Sequence, residues 1–175
     1  MVERSVRGTV INAYFKFVEK KWGKAGLTAC IENLGLTEVI KDGLYYPDAY
    51  RENILRWIER TYGRENIVDA GKFVVKNLGL LGWLVKYASV KVLAESFPKN
   101  YSEIYTFGQA RVDTSLRNRI SMKLYDVNRT DVSCDSWIGV CKGVLEMTHT
   151  KGTVKKTRCQ LNGDVYCEYI IDYGK

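Results

Sequence analysis

The stretch CQLNGDVYCEYIIDY, residues 159–173, decides how the carboxyl-terminal end of the chain folds. From Val165 onward every second residue belongs to a more apolar set, which is the period of a β-strand with one buried face. The Asn-Gly pair is a strong turn signal, so TVKKTRCQL and VYCEYIIDY are predicted to form a hairpin. A three-residue loop, 162–164, places Cys159 and Cys167 side by side on the inner face, whereas a two-residue loop would separate them. We therefore predict the three-residue loop and two adjacent, buried cysteines.

The residues before this hairpin predict two more strands and one helix. In LRNRISMKLYDV, residues 116–127, apolar and polar side chains alternate as in a strand with one wet face. Residues 109–114 are its expected hairpin partner. A helix should follow, capped by Ser133, because the apolar residues beyond that point recur at helical spacing.

The amino-terminal half is predicted to be helical, with helices that end at Gly23, at Gly35 and before Pro98. The whole chain is then an α+β domain. A helical amino-terminal half packs with a carboxyl-terminal β-β-α-β-β antiparallel sheet unit. We expect a single ligand-binding domain over residues 1–175, with a helical part at 1–108 and the strand-strand-helix-strand-strand part at 109–175.

Composition excludes several classes of protein. The chain has 46% hydrophobic and 27% charged residues, an ordinary globular balance. Its start carries charges and no long apolar run, and no stretch approaches the roughly 20 apolar residues needed to cross a bilayer. We expect a soluble cytoplasmic protein with no membrane span. The net charge of +7 comes from scattered lysines and arginines, which favours a solvated surface and makes nucleic acid an unlikely partner.

Five cysteines without a secretory signal indicate free thiols or a metal site rather than disulfides. Cys134 and Cys141 share the apolar face of the predicted helix, which must pack on the sheet near Cys159 and Cys167. These four thiols are the candidate metal ligands, and zinc is the candidate metal, because it favours tetrahedral thiolate sites. Seven residues span about 10 Å of helix axis, so one helical cysteine can lie too far away. The alternative is that buried free cysteines serve as small core residues.

At this point the residues resemble a known family. The pattern C-x3-G-x3-C between two terminal strands, behind a helix with its own cysteine, resembles the 4-vinyl reductase-like (V4R) small-molecule-binding domains. The opening VRGTVINAYFKFVEKKWGKAGLTACIENLGL is similar to that of haem nitric-oxide/oxygen-binding (H-NOX-like) domains and their haemless relatives. The resemblance covers nearly the whole chain. It implies a non-enzymatic sensor that binds an aromatic, a tetrapyrrole or a lipid-like molecule in an apolar cavity between helices and sheet.

The resemblance also implies a zinc site and argues against haem. Members that sense aromatic compounds hold structural zinc with two hairpin cysteines, a helical cysteine and a glutamate three residues before the first hairpin cysteine. Those cysteines correspond to Cys159, Cys167 and Cys134, but Lys156 stands at the glutamate position, so Cys141 would have to supply the fourth ligand. Haem-binding relatives need a histidine on an amino-terminal helix. The chain's one histidine, His149, follows the late helix, so we expect no haem bound through a proximal histidine.

Aromatic residues supply the candidate ligand-binding side chains, because ligand sites are usually apolar cavities with a few polar tips. The candidates are Trp83, Tyr87, Phe97, Tyr101 and Trp137. The alternative function is a dimerising assembly module, since the architecture resembles subunits of vesicle-tethering particles. The first helix, with Val10, Phe15, Val18 and Trp22, would form that homodimer interface. No catalytic pair and no nucleotide-binding fingerprint is present, so we expect no enzyme.

Overall fold

The computed structural model describes residues 4–78, 89–127 and 130–174. The predicted α+β class is confirmed. The helices are α1 Gly8–Leu34, α2 Asp48–Tyr62, α3 Glu65–Asn77, α4 Val90–Ile104 and α5 Asp131–Met147. The strands are β1 Ser5–Arg7, β2 Tyr45–Pro47, β3 Gln109–Asp113, β4 Arg119–Tyr125, β5 Gly152–Arg158 and β6 Cys167–Tyr173. The short strands β1 and β2 pair with each other; the sequence analysis missed them because three residues carry no measurable alternation.

The other four strands form an antiparallel sheet in the order β3-β4-β6-β5. Leu124 lies opposite Cys167, and Ile120 lies opposite Ile171, so the apolar residues of β4 and β6 share one face. That face is buried under the helices, while Arg119, at the start of β4, pairs with Asp172 on the exposed side. The predicted alternation therefore gives the observed inner face of the sheet.

The last hairpin differs from the prediction in its connection. The strands stop at Arg158 and resume at Cys167, with a 3₁₀ turn at Gln160–Asn162 between them, so the three-residue loop is wrong. Local hydrogen bonds hold the longer loop: the Cys159 backbone amide donates to Asp164 Oδ2 at 2.8 Å. A register shift near the end of β5 accommodates the extra residues. Cys159 and Cys167 are nevertheless both buried.

The helix ends follow the glycines better than the proline. Gly23 is non-helical, with φ 75° and ψ −177°, and interrupts α1 where a stop was predicted. Gly35 ends α1 in the left-handed conformation. Helix α4, however, continues through Pro98 to Ile104, so the predicted stop is wrong. Proline removes one backbone hydrogen bond, and the burial of Tyr101 and Ile104 in the last turn offsets that loss.

The start of α5 is set by a different residue from the one predicted. Thr130, and not Ser133, caps this helix, because its hydroxyl accepts a hydrogen bond from the Ser133 backbone amide. Ser133 is fully buried inside the first turn instead. This position makes the Ser133 hydroxyl available to a side chain of another helix.

Helices α3 and α5 cross with their backbones in contact. A Cβ atom added at Gly139 would lie 2.1 Å from the Val68 carbonyl oxygen, and one added at Gly71 would lie 2.0 Å from the Ser136 carbonyl oxygen. No side chain fits between the helices at this crossing. The glycines therefore set the depth at which α5 sits between α3 and the sheet.

The apolar stripe of α1 packs inside the molecule. Val10 and Val18 are buried, and Phe15 and Trp22 pack against the same helical core. Trp22 stacks on Tyr62 of α2 with ring centroids 3.8 Å apart. The helix face that the sequence offered as a dimer interface is thus used by the chain's own core. No helix in the described ranges is long and apolar enough to cross a membrane.

Candidate functional site

A partly open cavity of about 100 Å³ lies between the helices and the inner face of the four-stranded sheet. All five described helices contribute to its wall, and α4 and α5 contribute most. The sheet supplies Ile120 and Met122 from β4, Val112 from β3 and Ile171 from β6. Apolar side chains make up most of the lining, with a few polar tips, which is the usual form of a ligand site.

Four aromatic rings form one side of this cavity. Trp137 of α5 has ring centroids 5.8 Å from Phe97, 6.1 Å from Tyr101 and 6.0 Å from Tyr105. Tyr101 and Tyr105 stack with centroids 4.7 Å apart. All four line the cavity. They form the aromatic cluster: Phe97, Tyr101, Tyr105 and Trp137.

Three of the five predicted ligand residues belong to this cluster: Phe97, Tyr101 and Trp137. The other two, Trp83 and Tyr87, lie outside the described residues. The structure adds Tyr105 and Tyr14, which line the same cavity. Burial raises the pKa of Tyr105 well above its ordinary value, and it also raises the pKa of Tyr101 and of Tyr14, so these phenols are neutral.

A buried ionic network meets the cavity at Arg51 of α2. The guanidinium donates through Nε to Asp48 Oδ1 at 2.7 Å and through Nη2 to Glu52 Oε1 at 2.7 Å. Its Nη1 donates to the Ser133 hydroxyl of α5 at 2.8 Å. The Glu52 carboxylate also accepts hydrogen bonds from the hydroxyls of Ser133 and Thr130. The network, Asp48, Arg51, Glu52, Thr130 and Ser133, therefore joins α2 to the beginning of α5.

Arg51 remains charged in this site. Burial by itself would lower its pKa, but the negative charge of Asp48 raises it, and the result is a pKa well above the ordinary value. Two carboxylates, Asp48 and Glu52, surround this one guanidinium. Arg51 was not among the predicted site residues, because helical charges this close in sequence, here Asp48, Arg51 and Glu52, usually lie on a solvated face.

The cysteines separate into a cluster of three and two single residues. Cys134, Cys159 and Cys167 are buried, and their sulfur atoms all lie within 4.8 Å of one another. Cys134 Sγ and Cys159 Sγ are 3.6 Å apart. This cysteine cluster, at the junction of α5 with the last two strands, could hold a metal ion.

Backbone groups order the cysteine cluster. The Gln160 backbone amide donates to Cys167 Sγ at 3.3 Å, and the Tyr169 hydroxyl donates to the Cys134 carbonyl at 3.1 Å. Gln160 Oε1 is buried and has no hydrogen-bond partner in the described chain. Hydrogen bonding to Cys167, followed by burial, raises the pKa of the Cys134 thiol well above its usual range. Without a cation, this thiol is therefore protonated.

Cys141 is not part of the cysteine cluster. Its two helical turns of separation from Cys134 carry it into the cavity lining, where burial raises its pKa to about 12. Lys156, at the position where a glutamate was sought, lies 3.8 Å from Asp135 in an ion pair. His149 follows α5 in an exposed position with φ 51°, and it is not one of the described residues that line the cavity.

No protein-family model matches the chain, and no curated protein matches it. Solved structures, in contrast, do match the chain. The H-NOX protein from S. oneidensis in the Fe(II)NO ligation state superposes with a TM-score of 0.80 at 14% identity, covering 97% of this chain and 99% of that one. An oxygen-binding H-NOX domain related to soluble guanylate cyclases, in its oxygen complex, has a TM-score of 0.76 at 13% identity, covering 97% and 95%. At this level of identity the likeness concerns architecture, and this chain has the fold of H-NOX domains.

Proposed function

We propose that this chain is a non-enzymatic sensor domain that binds a small apolar molecule in the cavity between the helices and the sheet. The observation that carries the proposal is the cavity itself, because it lies between the helices and the sheet, is mostly apolar and is bounded on one side by the aromatic cluster. The H-NOX structures named above are complexes with nitric oxide and oxygen, which supports binding of a small molecule by a domain of this fold.

The size of the cavity narrows the class of ligand. An apolar cavity of roughly 150 Å³ binds benzene, and drug-sized ligands need about 300–1,000 Å³. The cavity of about 100 Å³ therefore favours a molecule of a few heavy atoms over a tetrapyrrole or a long lipid chain.

Haem held by a histidine, which this fold suggests, does not fit the residues of this chain. Haem iron takes its protein ligand from histidine, cysteine thiolate, methionine or tyrosine. His149 is exposed beyond α5, and the buried Cys141 is a neutral thiol because its pKa is raised to about 12. The proposal is therefore a sensor of the H-NOX fold that works without histidine-ligated haem.

A screen of small apolar compounds should raise the melting temperature. A ligand at 100 times its dissociation constant stabilises the folded state by about 2.7 kcal/mol, or roughly 5–10 °C for a chain of this size. Ala94 lines the cavity on α4, so Ala94→Leu should fill it and abolish the response. Differential scanning fluorimetry and native mass spectrometry measure both effects. If no compound shifts wild type, or if Ala94→Leu responds like wild type, the cavity is not the binding site.

We further propose that the cysteine cluster binds zinc. In a tetrahedral site with Zn–S of about 2.3 Å, neighbouring sulfur atoms are about 3.8 Å apart. The Cys134–Cys159 sulfur distance of 3.6 Å is close to this value. The Gln160 amide donates to Cys167 Sγ, as outer groups commonly do around ligands. Three thiolates leave a fourth position, which a water molecule or Gln160 Oε1, a buried oxygen without a partner in the described chain, could fill.

Purified protein should contain stoichiometric zinc, which Cys159→Ser and Cys167→Ser each remove. A chelator should then lower the melting temperature at neutral pH, because the metal joins α5 to the hairpin. Cys141→Ser is the matched control, a buried cysteine of the same helix outside the cluster, and should retain the metal. Elemental analysis measures the zinc content of each variant. Metal-free wild type would leave the cluster as reduced core thiols, and metal loss in Cys141→Ser would refute the assignment of ligands.

A further inference from the structure

One buried hydrogen-bond donor on the cavity wall has no acceptor. Trp137 Nε1 is buried and makes no hydrogen bond within the described chain, although Trp137 itself is only 4% exposed. Buried polar groups are nearly always paired, since an unpaired one loses its hydrogen bonds to water without replacement. The exception here lies on a side chain that lines the cavity, so a bound molecule could supply the missing acceptor.

Two polar groups of the cavity wall and one backbone carbonyl of the same helix have other partners. The Tyr101 hydroxyl donates to the Phe107 carbonyl at 2.9 Å, and the Ser136 hydroxyl donates to the Ser133 carbonyl at 2.9 Å. The Cys134 carbonyl on the same helix accepts from the Tyr169 hydroxyl. These groups are engaged elsewhere, which leaves the indole donor for the contents of the cavity.

The charges around the cavity disfavour an anionic ligand. The guanidinium of Arg51 is the cation at the wall, and it already donates to Asp48, Glu52 and Ser133. An anion in this mostly apolar cavity would therefore be buried without a free counter-charge among the described lining residues, which is costly. The acceptor that suits Trp137 is therefore uncharged, such as a carbonyl or ether oxygen.

We propose that the ligand is a small neutral molecule with an apolar body and a single acceptor oxygen, and that Trp137 Nε1 donates a hydrogen bond to that oxygen. The inference rests on the proposed binding function and adds the residue that selects among apolar molecules of equal size. The volume of about 100 Å³ limits the body to roughly five or six heavy atoms.

Two probes of equal shape test this selection: cyclopentanone, which has the acceptor, and methylenecyclopentane, which lacks it. After each dissociation constant is corrected for the probe's transfer from water to an apolar solvent, wild type should bind the ketone about three- to tenfold more tightly than the hydrocarbon. This ratio corresponds to one net hydrogen bond. Trp137→Phe keeps an aromatic ring but removes the N–H, so its corrected affinities for the two probes should be equal. Trp57→Phe is the control, because Trp57 is buried in the helical core and does not line the cavity.

A spectroscopic measurement on wild type keeps the test independent of the variant's stability. In protein labelled with ¹⁵N-tryptophan, the indole resonance of Trp137 can be assigned because it disappears in Trp137→Phe. In wild type this resonance should shift downfield when cyclopentanone binds. Methylenecyclopentane should leave it nearly in place. Binding of both probes with equal partition-corrected affinity, or ketone binding without that shift, would overturn the role of Trp137 while the binding function stands. Binding of neither probe would instead refute a cavity site for molecules of this size, and the selection with it.

Discussion

Replacing Arg51 with leucine is expected to lower the free energy of unfolding by about 3–5 kcal/mol, the usual cost of removing one partner from a buried ion pair. Leucine fills much of the volume but leaves Asp48 and Glu52 without their shared cation. Both carboxylates lie on α2 in a buried position, so water cannot solvate them in the folded state. Urea unfolding followed by circular dichroism measures the loss.

Arg64→Leu is the matched control. Arg64 also pairs with carboxylates, including Asp131 and Asp135 of α5, but its side chain is 46% exposed. Ion pairs of that kind contribute roughly 0–1 kcal/mol. The double variant Arg51→Leu/Glu52→Gln should lose less free energy of unfolding than the two single variants lose together. In the double variant only Asp48 remains as a buried carboxylate without its cation. Equal losses in Arg51→Leu and Arg64→Leu would show that the network is not a stabilising element.

Gly139→Ala is expected to cost about 3 kcal/mol, at the upper end for overpacking, and to lower the melting temperature by roughly 6–12 °C. Alanine is the better helix former by about 1 kcal/mol, so a helix free of contacts would gain stability. Here the new Cβ would meet the Val68 carbonyl oxygen at 2.1 Å and the Gly71 Cα at 3.0 Å. These are backbone atoms that cannot change rotamer, and the two helices must separate to admit the methyl group.

Gly43→Ala serves as the control for this change. A Cβ at Gly43 would have no heavy atom within 4 Å, and the residue does not adopt a positive φ. We expect its free energy of unfolding to stay within about 0.5 kcal/mol of wild type. If Gly139→Ala were equally harmless, the close crossing of α3 and α5 would not be required for the fold.

Local sequence patterns predicted the elements well where one period dominates. The alternation around Ile120 gave β4 and its buried face, and the conformational freedom of Gly23 and Gly35 gave the breaks in the first helix. The same reasoning failed at Pro98, because the penalty of a proline is local whereas the burial of Tyr101 depends on the sheet. Propensity is overridden where tertiary packing is stronger.

The candidate site could be predicted only in part for a related reason. Helical spacing left open whether Cys134, Cys141 or both could reach the hairpin, and the structure places Cys134 there. Sequence could not show that Arg51 is buried, since its partner Ser133 lies on a helix far along the chain. Nor could it show that Trp137 lacks an acceptor, because that depends on every element around the cavity.

The close crossing of α3 and α5 at Gly71 and Gly139 also determines which wall of the cavity can move. At Gly71 and Gly139 backbone touches backbone, so no layer of side chains between α3 and α5 can be compressed. Helix α4 instead faces the cavity with Leu93 and Phe97, whose side chains have rotamers to exchange. Among the described helices, expansion around a larger guest is therefore one-sided. Because α3 and α5 meet backbone to backbone, we expect α4 to be displaced relative to them by a distance that increases with the size of the guest.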